Sequence, residues 1–189
     1  MGFAMVKSAV MDGLTVREVC VEADTGSGLP VFHMVGYLSS EVKEAGERGR
    51  TAIRHTRARL QPQRMVVNLS PADIRKTGAS FDLPIAVALA LSAGSIMDRC
   101  EKRVLFIGEL SLDARIRKGR GIVPIVSYAR EKGDEICVVP WENETEGKLV
   151  SGIEVVGAAT LSEVWNFLET GERPVRKQQA AKVRDRDKS

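Results

Sequence analysis

The sequence predicts an α/β (α+β) fold, a two-layer sandwich in which a mixed sheet packs against helices. Two strand-like segments, Met5–Val10 and Leu14–Val21, flank Asp12-Gly13, a residue pair typical of a short hairpin turn. After this antiparallel start, strand-like and helix-like segments alternate, as they do in sheets whose strands are connected through helices. The segment Phe81–Ala93 is apolar on nearly every side, so we expect it to be a helix in the core.

The other elements are predicted by apolar periodicity and by β-branched runs. Inward apolar positions among charged residues predict a helix from Ser39 to about Leu60. Thr160 is followed three residues later by Glu163, a capping pattern that begins a final helix ending near Leu168. Strands are predicted at Val31–Val35, Met65–Leu69, Ile136–Val139 and Ile153–Val156, a hairpin at Val104–Leu110 and Ala114–Lys118, and a further helix at Ile122–Lys132.

Length and charge predict one domain with a basic extension. The chain has 189 residues, 43% of them hydrophobic, with 28 Lys and Arg against 25 Asp and Glu. We expect a domain over residues 3–168, followed by a charged flexible tail or interdomain linker over 169–189, which has few large apolar residues. Residues 171–189 carry a net charge of +4 and the rest of the chain −1, so the overall +3 comes from the tail.

Several classes of protein and site are not expected from this composition. No apolar run is long enough to cross a membrane and the start lacks a signal peptide's apolar block, so we expect a cytoplasmic protein without a membrane partner. Cys20, Cys100 and Cys137 are too few for a disulfide framework, and nothing resembles a zinc site or a P-loop. With only Trp141, Trp165 and five Phe, no aromatic platform for single-stranded nucleic acid is expected.

Two basic segments are candidates for contact with nucleic acid or with a protein partner. Arg50, Arg54 and Arg57 recur at i, i+4 and i+7, so they share one face of the predicted helix. Lys118 and Arg120 lie together in a predicted turn. The arginine stripe could contact phosphates, remain a solvated face, or pair with acidic residues of a neighbouring subunit.

The segment Gly78-Ala79-Ser80 at the start of the apolar helix is a candidate catalytic motif. A serine there can act as a nucleophile if backbone N–H groups stabilise the oxyanion. Alternatively, Ser80 or Asp82 can simply cap the helix, and the residue pattern favours this interpretation over a catalytic one. The string Asp24-Thr25-Gly26-Ser27 matches a short aspartic-protease signature, but that chemistry needs two such loops, so a strand-end turn is favoured.

Longer segments carry a resemblance to a known family. They are GLPVFHMVG at 28–36, EVKEAGER at 41–48, RTAI at 50–53, VVNLSPADIRK at 66–76, FDLPIA at 81–86, GELSL at 108–112, RGIVPI at 120–125, VPWEN at 139–143 and GIEV at 152–155. In this order they resemble the N-terminal domain of the magnesium-chelatase-like ComM/YifB family over residues 3–168. The resemblance implies a fold similar to the proteolytic domain of Lon protease.

The resemblance also implies partners. Members of the family carry an AAA+ ATPase module after this domain, form hexameric rings, and are associated with DNA processing during natural transformation. ATP and Mg²⁺ are thus implied only for the AAA+ module, and this chain is expected to bind no cofactor or metal of its own. The expected function is that of a non-catalytic accessory module, and whether the chain has enzymatic activity of its own is left open.

The likeness to Lon also gives the alternative function, a Ser-Lys peptidase. Ser80 falls on the position of the Lon nucleophile, whereas Val123 falls on the position of the lysine general base. A valine cannot take a proton from serine, and a serine hydroxyl without a base is a weak nucleophile near neutral pH. A peptidase using Ser80 would need a lysine from elsewhere in the fold.

Overall fold

The computed structural model describes residues 2–176, which form a seven-stranded mixed sheet with helices packed on it. The strands are β1 Gly2–Asp12, β2 Thr15–Gly26, β3 Phe32–Val35, β4 Arg64–Ser70, β5 Val104–Phe106, β6 Glu109–Leu110, β7 Ile116–Arg117, β8 Ile136–Pro140 and β9 Glu154–Ala158. The helices are α1 Ser40–Arg54, α2 Asp82–Ser92, α3 Ile122–Glu131, α4 Glu144–Gly147 and α5 Leu161–Thr170, with a 3₁₀ turn at Trp141–Asn143. Residues 177–189 of the predicted tail lie outside the described residues.

The sheet has the order β3-β4-β2-β1-β5-β8-β9. The pairs β1–β2 and β2–β4 are antiparallel and the other neighbours are parallel, so the predicted mixed sheet is confirmed. The predicted hairpin is confirmed as well: Asp12 pairs with Thr15, and Gly13 at the turn has a φ of 62°, which glycine adopts at little cost. The strands β6 and β7 form a separate antiparallel ribbon.

Helices cover both faces of one part of the sheet, so the predicted two-layer arrangement is wrong there. Alternate residues of β8 belong to different cores: Ile136 and Val138 pack with α1, α2 and α5, whereas Cys137 and Val139 pack with α3. All five residues of β8 are buried. A continuous apolar strand has this pattern because both of its faces are covered, whereas burial alternates along β4 and along the second half of β2, which therefore bury one face.

Several predicted elements differ from the structure in their bounds; β2, for example, continues to Gly26, five residues beyond its predicted end. The first helix ends at Arg54 rather than near Leu60, while its start is close to the predicted one, where Ser39 is the N-cap and accepts a hydrogen bond from the Val42 N–H. The predicted strand Val104–Leu110 is divided, because Val104–Phe106 enters the main sheet between β1 and β8 while Glu109–Leu110 pairs with β7. Sequence periodicity did not separate the two because the apolar run Val104–Ile107 continues to Leu110 with only Gly108 and Glu109 between.

The helix α2 lies in the centre of the larger core, as its composition predicts. Every one of its residues except Leu91 is buried. Pro84 falls in its first turn, where the missing N–H has no helical partner to lose. No helix among residues 2–176 has the length and apolar character needed to cross a membrane.

The chain after α5 returns along the edge of the sheet. Gly171 ends α5 with a φ of 76°, and the following residues are attached by two arginines. Arg173 donates to both carboxylate oxygens of Glu154 at 2.8 and 2.9 Å, and Arg176 donates to both of those of Glu163 at 2.7 and 2.9 Å. These bidentate pairs place the segment as far as Arg176 against β9 and α5.

A buried ion pair joins α1, α2 and the ribbon. The Asp82 carboxylate is fully buried and accepts from Arg48 Nε at 2.8 Å, from Arg48 Nη2 at 3.0 Å and from the Leu110 N–H at 3.0 Å. Burial raises the pKa of Asp82, while the Arg48 guanidinium and the Leu110 N–H act in the opposite direction. Three segments far apart in sequence therefore meet at one side chain.

We predict that Arg48→Met lowers the free energy of unfolding by about 3 kcal/mol at pH 7, because it leaves the buried Asp82 charge without its partner. The deficit should shrink as the pH falls and Asp82 becomes protonated, since a neutral acid costs less to bury. Urea unfolding over a pH series measures both effects. Lys43→Met, at an exposed position of the same helix, is the control and should change stability by less than about 0.5 kcal/mol. If Arg48→Met lowered the free energy of unfolding by less than about 1 kcal/mol, the Arg48–Asp82 ion pair would not be a main stabilising contact between these segments.

Candidate nucleic-acid interface

The last turn of α1 brings Arg50 and Arg54 to the side of a groove of about 300 Å³, here called the arginine groove. Its other lining residues come from the segments before β3 and before β4 and from the start of β4: Pro30, Val31, Leu60, Gln61, Pro62, Gln63 and Met65. The glutamine amides can donate and accept hydrogen bonds, and the lining contains no carboxylate. This composition suits an anionic ligand.

The position of Arg50 is set by packing beneath it. Its guanidinium lies 4.7 Å from the centre of the Phe32 ring, and its Nη1 is 3.1 Å from a carboxylate oxygen of Glu47. Gly46 lies directly under the same ring, where an added Cβ would be 2.5 Å from a ring carbon. The glycine thus lets Phe32 lie against the helix and support Arg50. Arg54 is exposed and forms no ion pair within residues 2–176.

Arg57 does not continue the stripe, so the predicted shared face is wrong for this residue. It follows the end of α1, and its Nη2 donates to Glu169 Oε2 of α5 at 2.9 Å. The helix ends here because the buried Thr56 hydroxyl bonds the Ile53 carbonyl at 2.7 Å and accepts from Trp165 Nε1 at 3.0 Å. The Arg57 guanidinium holds the pKa of Glu169 below its ordinary value.

The second predicted segment, with Lys118 and Arg120, is held by a buried asparagine. Asn143 Oδ1 accepts from the Gly119 N–H at 2.8 Å, and its Nδ2 donates to the Gly119 carbonyl at 3.1 Å. Both charged side chains are exposed and form no ion pair among residues 2–176. The turn therefore presents two unneutralised cations on a backbone fixed at its central glycine.

A second basic groove lies beside this turn, and the sequence did not predict it. Its volume is about 440 Å³, and we call it the ribbon groove because β7 forms one wall. It is lined by Ser111, Arg115, Ile116, Arg117, Lys118, Trp141, Glu142, Ala159 and Thr160. Alternation of basic residues around a buried Ile116 is the one sequence signal that could have indicated a basic ribbon. The approach of Trp141 comes from tertiary packing alone.

Ser80 lies in the turn before α2, and the predicted cap at this helix is wrong. The N-cap residue is Phe81 and no side chain bonds to the first turn, since the Asp82 carboxylate is bound by Arg48 and Leu110. Within residues 2–176, Ser80 Oγ has no hydrogen bond to a lysine nitrogen: buried Lys76 donates to the Pro71 carbonyl, and burial lowers the pKa of its ammonium group. Val123, which the resemblance to Lon aligns with the lysine base, packs with the α3 core.

The string that begins at Asp24 lies at the end of a strand. Asp24, Thr25 and Gly26 are the last residues of β2, with the Thr25 and Ser92 hydroxyls hydrogen-bonded at 2.8 Å. No group of three or more His, Cys, Asp or Glu side chains within residues 2–176 is arranged to hold a metal ion.

Comparison with known proteins identifies the family. The family model described as subunit ChlI of Mg-chelatase matches residues 21–143. The chain is 32% identical to the competence protein ComM of Haemophilus influenzae over 173 residues, which are 92% of this chain and 34% of ComM. This chain belongs to the magnesium-chelatase-like family that contains ComM and YifB. The resemblance seen in the sequence is thereby confirmed.

Other members of the family match to a similar extent. An uncharacterized protein of Mycobacterium tuberculosis is 37% identical over 162 residues, which are 85% of this chain and 32% of that protein. YifB of Escherichia coli is 32% identical over 169 residues, which are 89% of this chain and 33% of YifB. The chain thus spans about a third of the length of these relatives.

A weaker likeness extends beyond the ComM/YifB family. Lon protease 2 of Bacillus subtilis is 29% identical over 91 residues, which are 46% of this chain and 16% of the protease.

We predict that Arg57→Gln raises the pKa of Glu169 toward the ordinary glutamate value of about 4.3, because the charge-assisted hydrogen bond is lost. A carboxylate with a lowered pKa in the folded state stabilises the protein above the unfolded value, and the stabilisation is lost as the pH falls through the folded value. The variant should therefore be about 0.5 kcal/mol less stable at pH 7 and equal to the parent in strong acid. NMR titration of Glu169 and unfolding at both pH values measure this. An unchanged titration would contradict it.

A further prediction concerns the fixed turn. Asn143→Ala removes both hydrogen bonds to the Gly119 peptide, so amide exchange at Gly119 should accelerate and stability should fall by about 2 kcal/mol. Hydrogen-exchange mass spectrometry of residues 115–121 reports the first effect. The exposed neighbour Glu142→Ala is the control and should leave the exchange rate unchanged. Equal protection of Gly119 in both variants would show that the turn is held by something else.

Proposed function

We propose that this chain is the non-catalytic N-terminal accessory module of a magnesium-chelatase-like AAA+ ATPase of the ComM/YifB type, which processes DNA during natural transformation in the cytoplasm. Family membership and the length of the relatives support this proposal, since the matching region is about a third of each protein. The printed name of the Haemophilus influenzae relative, competence protein, supports the link to transformation.

The fold we propose is that of the Lon proteolytic domain. The match to Lon protease 2 supports it, as does the position of Ser80 immediately before the buried helix α2. The non-catalytic character is supported by the surroundings of Ser80: no lysine among residues 2–176 is hydrogen-bonded to its hydroxyl, and Val123 replaces the base. A serine with no adjacent base lacks the activation that nucleophilic catalysis needs.

The partners that follow from this proposal are the AAA+ module of the same polypeptide, other copies of the chain in a hexameric ring, and DNA. ATP and Mg²⁺ would be bound by the AAA+ module, with none of the residues of this chain as their ligands. The described surface offers two regions for contact with DNA or a protein partner, the arginine groove and the turn with Lys118 and Arg120.

The arginine groove is the observation that carries the nucleic-acid part of the proposal. Arg50 is held in place by Phe32, so it is ordered before a ligand arrives, and Arg54 is free to bind a phosphate. Guanidinium groups recognise phosphate oxygens in bidentate geometry, and two of them on one helix face can follow a nucleic-acid backbone. Glu47 is the one carboxylate paired with either arginine among residues 2–176.

We predict that Arg50→Gln together with Arg54→Gln lowers DNA affinity about tenfold at 0.15 M salt, because two phosphate contacts are lost. The log–log dependence of affinity on salt should become shallower by about 1.5. Fluorescence anisotropy with a labelled oligonucleotide over a salt series measures both quantities.

The matched control is Lys102→Gln, which removes an exposed cation that lines neither groove. It should leave the affinity within about twofold of the parent. Equal affinity and an equal salt slope in the double arginine variant would remove this contact from the proposal and leave Arg50 and Arg54 as packing residues.

A further inference from the structure

The ribbon groove combines an anchored arginine and a neighbouring lysine with a partly exposed indole. Arg117 projects from β7, and its Nε donates to the Ser111 hydroxyl at 2.9 Å. Lys118 follows it on the turn whose next residue is held by Asn143. Glu109 faces Arg117 across the ribbon, but no carboxylate of residues 2–176 is within ion-pair distance of Arg117 or Lys118. The Arg117 guanidinium is therefore anchored, Lys118 extends from a fixed backbone, and both cations remain available to an anion.

Trp141 forms another wall of this groove, and 38% of its surface is exposed. The Arg176 guanidinium lies 5.1 Å from the centre of its ring and is itself fixed by Glu163. This contact restrains the indole from one side, while the residue keeps an exposed surface at the wall of the groove. An ordered, partly exposed tryptophan beside unpaired cations is the arrangement on which unpaired bases stack in proteins that bind single strands.

We infer that the ribbon groove binds single-stranded nucleic acid, with phosphates on Arg117 and Lys118 and a base against Trp141. This inference rests on the proposed contact with DNA and adds a second site to the arginine groove, with a preference for strand type. A duplex satisfies it less well, because the faces of paired bases are covered by their neighbours and cannot reach the indole. The sequence offered no aromatic platform, and the structure supplies a single stacking residue.

The other charged groups of the ribbon groove limit the length of nucleic acid that it can bind. Arg115 is neutralised by Asp113, at 2.9 Å, and Glu142 contributes one lining carboxylate. The groove thus has room and charge for a short stretch of backbone rather than for a long wrapped strand. Its affinity should depend on Arg117 and Lys118 together, with Arg120 on the same turn adding to the field.

Tryptophan fluorescence tests this inference directly, because Trp165 is fully buried and Trp141 is exposed. A single-stranded oligonucleotide should quench the emission of Trp141, and the same sequence as a duplex should quench it much less. Trp141→Leu should abolish the quenching and lower the affinity measured by anisotropy about tenfold. The pair Arg117→Gln and Lys118→Gln should lower affinity about tenfold and make the salt slope shallower by about 0.7 for each lost contact.

Measurements on a second set of variants distinguish failure of this inference from failure of the proposed function. Arg50→Gln with Arg54→Gln is measured in parallel, Lys102→Gln is the charge-matched control, and thermal unfolding establishes that each variant is folded. If the ribbon variants bind like the parent while the double arginine variant is weakened, the ribbon groove is refuted and the proposed DNA contact stands. Quenching that persists in Trp141→Leu, or is equal for duplex and single strand, also refutes it. A parent protein that binds neither form refutes both.

Discussion

The Asp82 carboxylate is the point on which the arrangement of both basic grooves depends. It is buried at the start of α2, where it accepts two hydrogen bonds from Arg48 of α1 and one from the Leu110 N–H of the ribbon. The helix that carries Arg50 and Arg54 and the ribbon that carries Arg117 are thus fixed to the same side chain. A charge buried this deeply is tolerated only when its partners are complete, so these three segments are expected to be ordered together.

The parts of the fold that could be predicted are those with local signals. The hairpin at Asp12-Gly13, the Ser39 and Thr160 caps and the apolar helix α2 all follow from residues adjacent in sequence. The end of α1 could not be predicted, because it depends on Trp165, more than a hundred positions away, bonding to Thr56. The third layer was missed because an apolar helix such as α3 shows by its pattern that it packs, but not on which face of the sheet.

The candidate site residues likewise fall into those that local sequence spacing predicts and those that tertiary contacts place. Arg50 and Arg54 share a face because helical spacing places them there, and the groove beside them confirms that they lie together. Arg57 has the right spacing but lies beyond the helix end. The ribbon groove depends on Asn143 reaching Gly119 and on Trp141 lying beside β7, contacts between segments that sequence periodicity cannot relate.

The ion pairs of Arg173 and Arg176 determine where the described chain leaves the surface of the domain. The last helix, α5, ends at Thr170, two residues beyond the end of the predicted domain. The structure holds the chain against β9 and α5 as far as Arg176. The six residues from Gly171 to Arg176, which could span about 20 Å as free chain, therefore lie on the surface of the domain. The described chain therefore leaves the domain beside Trp141, at one wall of the ribbon groove, and not at the end of α5.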